Sequence, residues 1–462
     1  MSDIKALKNK LFLERKNGRL IVEDEVLQKA DEYCEGYKAF LDAAKTEREA
    51  VKEAVKMAES KGFVPFEMGK KYEKGAKVYF NNRGKTIALA VIGEEKVENG
   101  VNITAAHIDS PRLDLKPNPL YEDSDLALFK THYYGGIKKY QWTVTPLALH
   151  GVFALRNGEV IEVSIGEKED EPKFVIGDLL PHLAAEQSKR TLNEGIKGEE
   201  LNVLVGSHPF KSDEGSELVK LNILKLLNEK YGITEGDFLS AELEMVPAFK
   251  ACDIGFDRSL IGGYGQDDRV CAYPALTAIL NVENPKKTAV AILADKEEIG
   301  SSGNTGLESD FLRFIIGDLA KMQGGDATVA LRNSKCLSAD VNAALDPTFP
   351  DVMERKNASF VNYGVVVTKY TGARGKAATS DASAEYVAEI LALLDKADIV
   401  WQTGELGKVD LGGGGTVAQY IANMGVDVID LGVPVLSMHA PFETTAKFDV
   451  YMCYRAMYEF MK

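Results

Sequence analysis

Long apolar runs are missing from this 462-residue chain. No stretch approaches the roughly 20 residues that a membrane helix needs. The opening residues, MSDIKALKNKLFLERKNGR, lack the apolar centre of a secretory leader. These absences lead us to expect a cytoplasmic protein with no membrane partner. A basic excess is missing too: 55 lysines and arginines face 70 aspartates and glutamates, for a formal net charge of −15. Nucleic-acid binding needs a basic footprint, so that class is set aside. Cysteine is scarce. Cys34, Cys252, Cys271, Cys336 and Cys453 are scattered, odd in number and without a CxxC pair. That pattern excludes a disulfide scaffold and argues against a thiolate metal site. Histidine is nearly as scarce, at six, so each one can be weighed individually.

What remains is ordinary for a globular protein, with 45% hydrophobic and 27% charged residues. The length suggests two domains. Residues 24–61 carry apolar side chains at helical spacing and read as one long helix. Short strand-like runs follow at Lys77–Phe80, Thr86–Ile92 and Val101–Ala106. From Arg112 to about Pro247 the pattern shifts to mostly β-like pieces, including Thr143–Val152 and Val160–Ser164, with a helix expected near Leu179–Ser188. An α/β rhythm then returns. Thr288–Ala294 and Val426–Leu431 read as strands buried on both faces, and Phe311–Met322 and Ala382–Leu394 as helices. The expected fold class is therefore α/β with a mostly parallel central sheet, formed by residues 1–111 and 247–462 and interrupted by a β-rich insertion at 112–246.

The chemistry-bearing residues collect at a few strand ends. His107 closes one apolar strand, and Asp109 two residues on can accept a hydrogen bond from its ring and fix the tautomer of a metal ligand. Taken alone, an HxD triplet is more ordinary as a packed histidine. Asp295-Lys296-Glu297-Glu298 ends the TAVAILA strand, at the edge where open α/β sheets gather function. Adjacent carboxylates repel, and a nearby cation would explain them; the plainer reading is a solvated acidic turn. Asp267-Asp268 in a glycine-rich turn, Asp340 in Ser338-Ala339-Asp340, and His439 in Ser437–Glu443 are each as readily loop or capping residues. The run Leu411–Thr416 lacks the spacing of a phosphate loop, and its glycines suit close approach of backbone to a substrate.

In combination the motifs are far more specific. HxDS, the DDR turn, DKEEIGS, SAD and SMHAPFE follow in order, with Thr131–Ile137, Pro181-His182-Leu183 and Gly412–Thr416 between them. This set resembles the M18 family of metallo-aminopeptidases across nearly the whole chain. The resemblance implies a zinc-peptidase-like α/β domain with an inserted dimerisation domain, and dimers building a closed shell of twelve subunits. It implies that His107, Asp267, Glu298, Asp340 and His439 hold two divalent ions, with Asp267 bridging. Glu297 would be the general base, Asp109 the orienter of His107, and His182 either a contributor to a neighbouring subunit's site or a further metal ligand, with the former preferred. Imidazole and carboxylate donors without thiolate suit zinc first, with cobalt or manganese as alternatives. The expected activity is hydrolysis of the N-terminal residue of short peptides. A two-metal N-acyl amino acid deacylase and a non-enzymatic assembly protein are the rival readings. The basic loop 371–376, with Arg374 and Lys376, is implied near the substrate pocket, and the preferred N-terminal residue stays open between acidic and neutral.

Overall fold

The protein is described here by a computed structural model covering residues 2–372 and 374–462. Its centre is a nine-stranded sheet in the order Val64–Pro65, Lys77–Asn82, Thr86–Val91, Ala289–Ala294, Asn102–His107, Lys335–Ser338, Asp427–Gly432, Val365–Thr368 and Trp401–Thr403. The four strands from Ala289–Ala294 to Asp427–Gly432 run parallel. Antiparallel pairings flank them on both sides, so the sheet is mixed at its margins. Side chains of Ala289–Ala294 alternate between two cores. Ala289, Ala291 and Leu293 join one cluster, while Val290, Ile292 and Ala294 join the other. That division is why the segment reads as continuously apolar: both faces of the strand are covered.

Two further sheets complete the chain. A seven-stranded antiparallel sheet is built from Arg112–Asp123, Leu126–Tyr134, Leu147–Ala154, Val160–Ile165, Val175–Ile176, Asn202–Gly206 and Ala241–Pro247. It has its own core, which includes Leu113, Phe129, Trp142, Phe153, Val203 and Met245. A five-stranded sheet, unforeseen from the sequence, joins Cys252–Ile254, Leu260–Gly263, Glu443–Ala446, Pro434–Leu436 and Asn342–Ala343. It lies beside the carboxyl edge of the central strands and carries the segment leading into and out of His439.

Two expected helices need correction. The single helix over 24–61 is two, Asp24–Ala43 and Glu47–Ser60. Thr46 accepts from the Glu49 N–H while Glu49 accepts from the Thr46 N–H, a capping box that restarts the helix. The helix near Leu179–Ser188 is instead a run of turns with a short 3-10 segment at Gln187–Lys189. Asp178 accepts from the Leu179 N–H and from Gln187, tying the segment into a loop. Its leucines 179, 180 and 183 are all exposed, so no apolar stripe drives a helix against the core.

Candidate metal centre

Each of the four parallel strands delivers a polar residue at or just beyond its carboxyl end. His107 is the last residue of its strand and pairs in register with Ala294. Glu297 and Glu298 follow Ala294 by a tight turn. Asp340 follows Ser338, and His439 follows Gly432 through the short strand Pro434–Leu436. Asp267 comes from the first turn of the helix Gln266–Asn281, buried from Gln266 to Leu280. All five residues implied as ligands are thereby brought together, with Glu297 and Asp109 beside His107.

The centre of the arrangement is the Asp267 carboxylate. Its Oδ1 lies 3.1 Å from His107 Nε2, and its Oδ2 lies 3.1 Å from His439 Nε2. Glu298 Oε2 stands 3.7 Å from His439 Nε2. Glu297 Oε2 and Asp340 Oδ1 each stand 3.8 Å from His107 Nε2. Both imidazoles are anchored through their other nitrogen. His107 Nδ1 donates to the Asp109 carbonyl at 3.0 Å, with Asp109 Oδ1 at 3.3 Å, and His439 Nδ1 donates to the Gly136 carbonyl at 2.7 Å. Each Nε2 therefore faces Asp267 across a gap that a proton or a metal ion can fill.

Asp268 is the alternative within the DDR turn, and its ligand atoms also come within 4.8 Å of those of His107 and Asp340. Asp268 Oδ2 accepts from the His107 backbone N–H at 3.4 Å, and neither of its oxygens pairs with His439. Only Asp267 turns an oxygen to each imidazole.

Charge in this pocket is unbalanced. The carboxyls of Asp109, Asp267, Asp268, Glu297, Glu298, Asp340 and Glu443 outnumber two imidazoles; Asp109, Asp267, Asp268 and Glu443 are buried, and Glu297, Glu298 and Asp340 partly so. Burial, with Asp267 and Asp109 added and His107 offsetting, pushes the Glu297 carboxyl up to about 7. Burial and then Asp267 raise Glu298 well above the carboxylate range, as burial and then Glu297 raise Asp340. His439 rises to about 10, against its burial, through its hydrogen bond to Asp267. Glu298 Oε1 is buried without a hydrogen-bond partner. An orphaned carboxylate oxygen, clustered carboxyls and two ring nitrogens facing inward suit hard or borderline divalent cations. The residues fit a metal centre.

Around it opens a cavity of about 870 Å³, lined by Asp267, Glu297, Glu298, Asp340 and His439 together with Phe349, Met353, Leu406 and Met438. Gly413, Gly414, Gly415 and Thr416 form part of its wall, where the sequence suggested close backbone approach. Arg374 and Lys376 are not among the lining residues, and Lys376 Nζ pairs with Asp381 at 2.9 Å. Ala373, in the same loop, lies outside the described residues. His182 is exposed and is also absent from the lining.

Two supporting residues escape sequence reasoning. Glu443, fully buried, accepts from the Asp267 N–H at 3.1 Å and from the His439 N–H at 2.8 Å, fixing the backbone of both. Tyr134 donates to Asp109 Oδ2 at 2.9 Å. Both lie in segments singled out as motifs, but their partners are backbone amides and a carboxylate remote in sequence.

Residues 40–461 match the family model described as Aminopeptidase I zinc metalloprotease (M18). A probable M18 family aminopeptidase 1 of Clostridium acetobutylicum is 50% identical over 451 residues, covering 96% of this chain and 97% of its own. The crystal structure of an M18 family aminopeptidase from Thermotoga maritima superposes with a TM-score of 0.94 at 47% identity, over 98% of this chain and 100% of that one. At 19% identity, the S. cerevisiae mApe1 dodecamer shares the fold, with a TM-score of 0.75 over 94% of this chain and 97% of its own.

Proposed function

The chain belongs to the M18 family of zinc metallo-aminopeptidases, and we propose that it cleaves the N-terminal residue of short peptides at a centre where His107, Asp267, Glu298, Asp340 and His439 hold two divalent ions. Zinc is the first choice, with cobalt or manganese able to substitute. The observation that carries this reading is the Asp267 carboxylate, which turns one oxygen to each imidazole at 3.1 Å and so suits a bridging ligand. When bound, such a pair of ions polarises the scissile carbonyl and lowers the pKa of the attacking water. Glu297 takes the proton from that water at its carboxylate and returns it to the departing amine. Asp109 orients His107 through Nδ1. The acidic floor pairs with the substrate's free α-amine, which restricts cleavage to the N-terminus.

The cavity wall favours a neutral, apolar N-terminal side chain over an acidic one. Val341, Phe349, Val352, Met353, Leu406 and Met438 line it, and Lys138 is the sole lysine or arginine among its described lining residues. A carboxylate there would have one flexible cation against several carboxylates.

His182 acts in trans, on the site of a neighbouring subunit, where an imidazole donor can serve the developing oxyanion. Its exposure beside Leu179, Leu180 and Leu183 supports a role at an interface. Residues 112–246 then form the dimerisation domain inserted into a catalytic domain of residues 1–111 and 247–462. The dodecameric form of mApe1 supports a twelve-subunit assembly built from such dimers. A cytoplasmic setting suits the five free thiols. No helix among the described residues is long and apolar enough to cross a membrane. The deacylase and non-enzymatic readings find no support in the family to which the chain belongs.

A panel of aminoacyl p-nitroanilides and N-acetyl amino acids, given to chelated enzyme reconstituted with zinc, cobalt or manganese, tests the reading. We expect metal-dependent release from leucyl and methionyl substrates, little from aspartyl and none from N-acetyl compounds. Turnover of the N-acetyl series, or full activity in chelator, contradicts it.

A further inference from the structure

We propose that the turn Tyr134-Gly135-Gly136, at the tip of the seven-stranded sheet, is the positioning element of the metal centre, holding both imidazoles and Glu298 in place. This rests on the ligand set proposed above. Three separate contacts carry it. Tyr134 Oη donates to Asp109 Oδ2 at 2.9 Å, and the other Asp109 oxygen stands 3.3 Å from His107 Nδ1. The same carboxylate accepts the backbone N–H groups of Glu297 and Glu298, each at 3.1 Å. Gly135 sits at φ +72°, and a Cβ built on it would lie 3.0 Å from Glu298 Oε2 and 3.3 Å from Glu298 Cβ. Any other residue would meet both backbone strain and the ligand side chain. Finally, the Gly136 carbonyl accepts from His439 Nδ1 at 2.7 Å.

The turn is itself held firmly. Tyr134 pairs in register with Arg112, whose guanidinium lies 4.0 Å from the ring centroid. Arg112 in turn bonds Glu47 at 3.0 Å and Glu244 at 3.2 Å, all three buried. Burial and the Asp109 charge raise the Tyr134 hydroxyl above its ordinary range, so it remains a donor. Tyr134 does not line the cavity. It acts through Asp109 and is a positioning residue. One half of the centre is thus set through Tyr134 and the other through Gly135 and Gly136. The inserted region therefore shapes the active site of its own subunit, beyond any part in assembly.

The test is Tyr134→Phe, which keeps the ring on Arg112 and deletes one hydroxyl. The readout is the chelator concentration at which each ion leaves the purified zinc enzyme. His107→Ala and His439→Ala mark which release step belongs to which half. We expect Tyr134→Phe to weaken the ion on the His107 side by about 10–100-fold, leaving the other ion and the melting temperature of the metal-stripped protein unchanged. Gly135→Ala should weaken the His439 side instead. Wild-type release of both ions from Tyr134→Phe overturns the proposal, as does equal loss of both with a lowered metal-free melting temperature. If His107→Ala itself keeps both ions, the ligand assignment fails. If it loses one and Tyr134→Phe does not, only this inference fails.

Discussion

Asp109 serves four partners in the site: the His107 ring, the backbone amides of Glu297 and Glu298, and the Tyr134 hydroxyl. A buried carboxylate with four donors stays ionised, and its hydrogen bond to His107 and the ring's charge hold it below the usual range despite burial. Glu297 stands differently: its carboxyl faces the cavity, and burial raises it. One acid is fixed for orientation and the other is exposed to substrate, which is the division a general base requires. We expect Glu297→Gln to lower kcat at least about 10²-fold with little change in fold. Steady-state kinetics on the variant check this, and near-normal turnover would remove Glu297 from that role. His107, Asp109 and Glu297 stood out in sequence because they end or closely follow apolar strands, and the rest of the proposed set stood out only through the order of the motifs. Glu443 and Tyr134 did not, because a hydrogen bond to a backbone amide or to a distant carboxylate leaves no mark in local sequence.

At the scale of elements, the junction between the helix Glu47–Ser60 and the seven-stranded sheet is polar. His150 on Leu147–Ala154 bonds Glu49 at 2.7 Å and Glu167 at 3.0 Å, and Glu167 also meets Lys45 at 3.1 Å and Lys250 at 3.0 Å. Against burial, the hydrogen bonds to Glu167 and Glu49 raise His150 to about 9. The folded pKa exceeds the unfolded value of about 6.5. The stabilisation is therefore complete below pH 6.5 and is lost as pH rises through about 9, a change of order 3 kcal/mol. Glu167, lowered to about 2 against burial by His150 and Lys45, works in the opposite sense: its contribution holds above about 4.5 and fades as pH falls through 2. Thermal melts across pH 6–10 should show stability declining in wild type and a flatter profile in His150→Gln. Identical slopes in the two would sink this account of the junction. Most of the central strands could be read from continuous apolar runs. The break at Thr46 was also available, in the Thr46-Glu47-Arg48-Glu49 capping pattern, but apolar spacing on either side masked it. The turns around His182 mimic a helix in composition and lack only a core to face. The five-stranded sheet was hidden because its strands are three or four residues long, or two, and pair across large sequence separations.

At the scale of the whole molecule, one subunit contains every group proposed to hold the ions, while His182 stands outside its cavity lining. Its loop is exposed and adds nothing to the cavity lining. The trans role proposed for His182 requires an assembly that brings a neighbour's loop over the cavity, and it makes a prediction a single subunit cannot satisfy. His182→Ala and Glu297→Gln should each be nearly inactive alone. Mixed under conditions of demonstrated subunit exchange, they should recover part of the wild-type rate, because some sites then combine an intact base with an intact neighbouring histidine. No recovery would confine His182 to its own subunit or remove it from catalysis. A role of that kind leaves no mark in spacing or periodicity, and the proposal for His182 comes only from family resemblance.

The central claim, five ligands for two ions beside a separate base, is tested most directly by metal content. Zinc per subunit should be counted in purified Glu297→Gln and His439→Ala proteins under identical loading. The account predicts two ions in Glu297→Gln and fewer in His439→Ala. Loss of metal from Glu297→Gln, or two ions retained without the His439 ring, would contradict it.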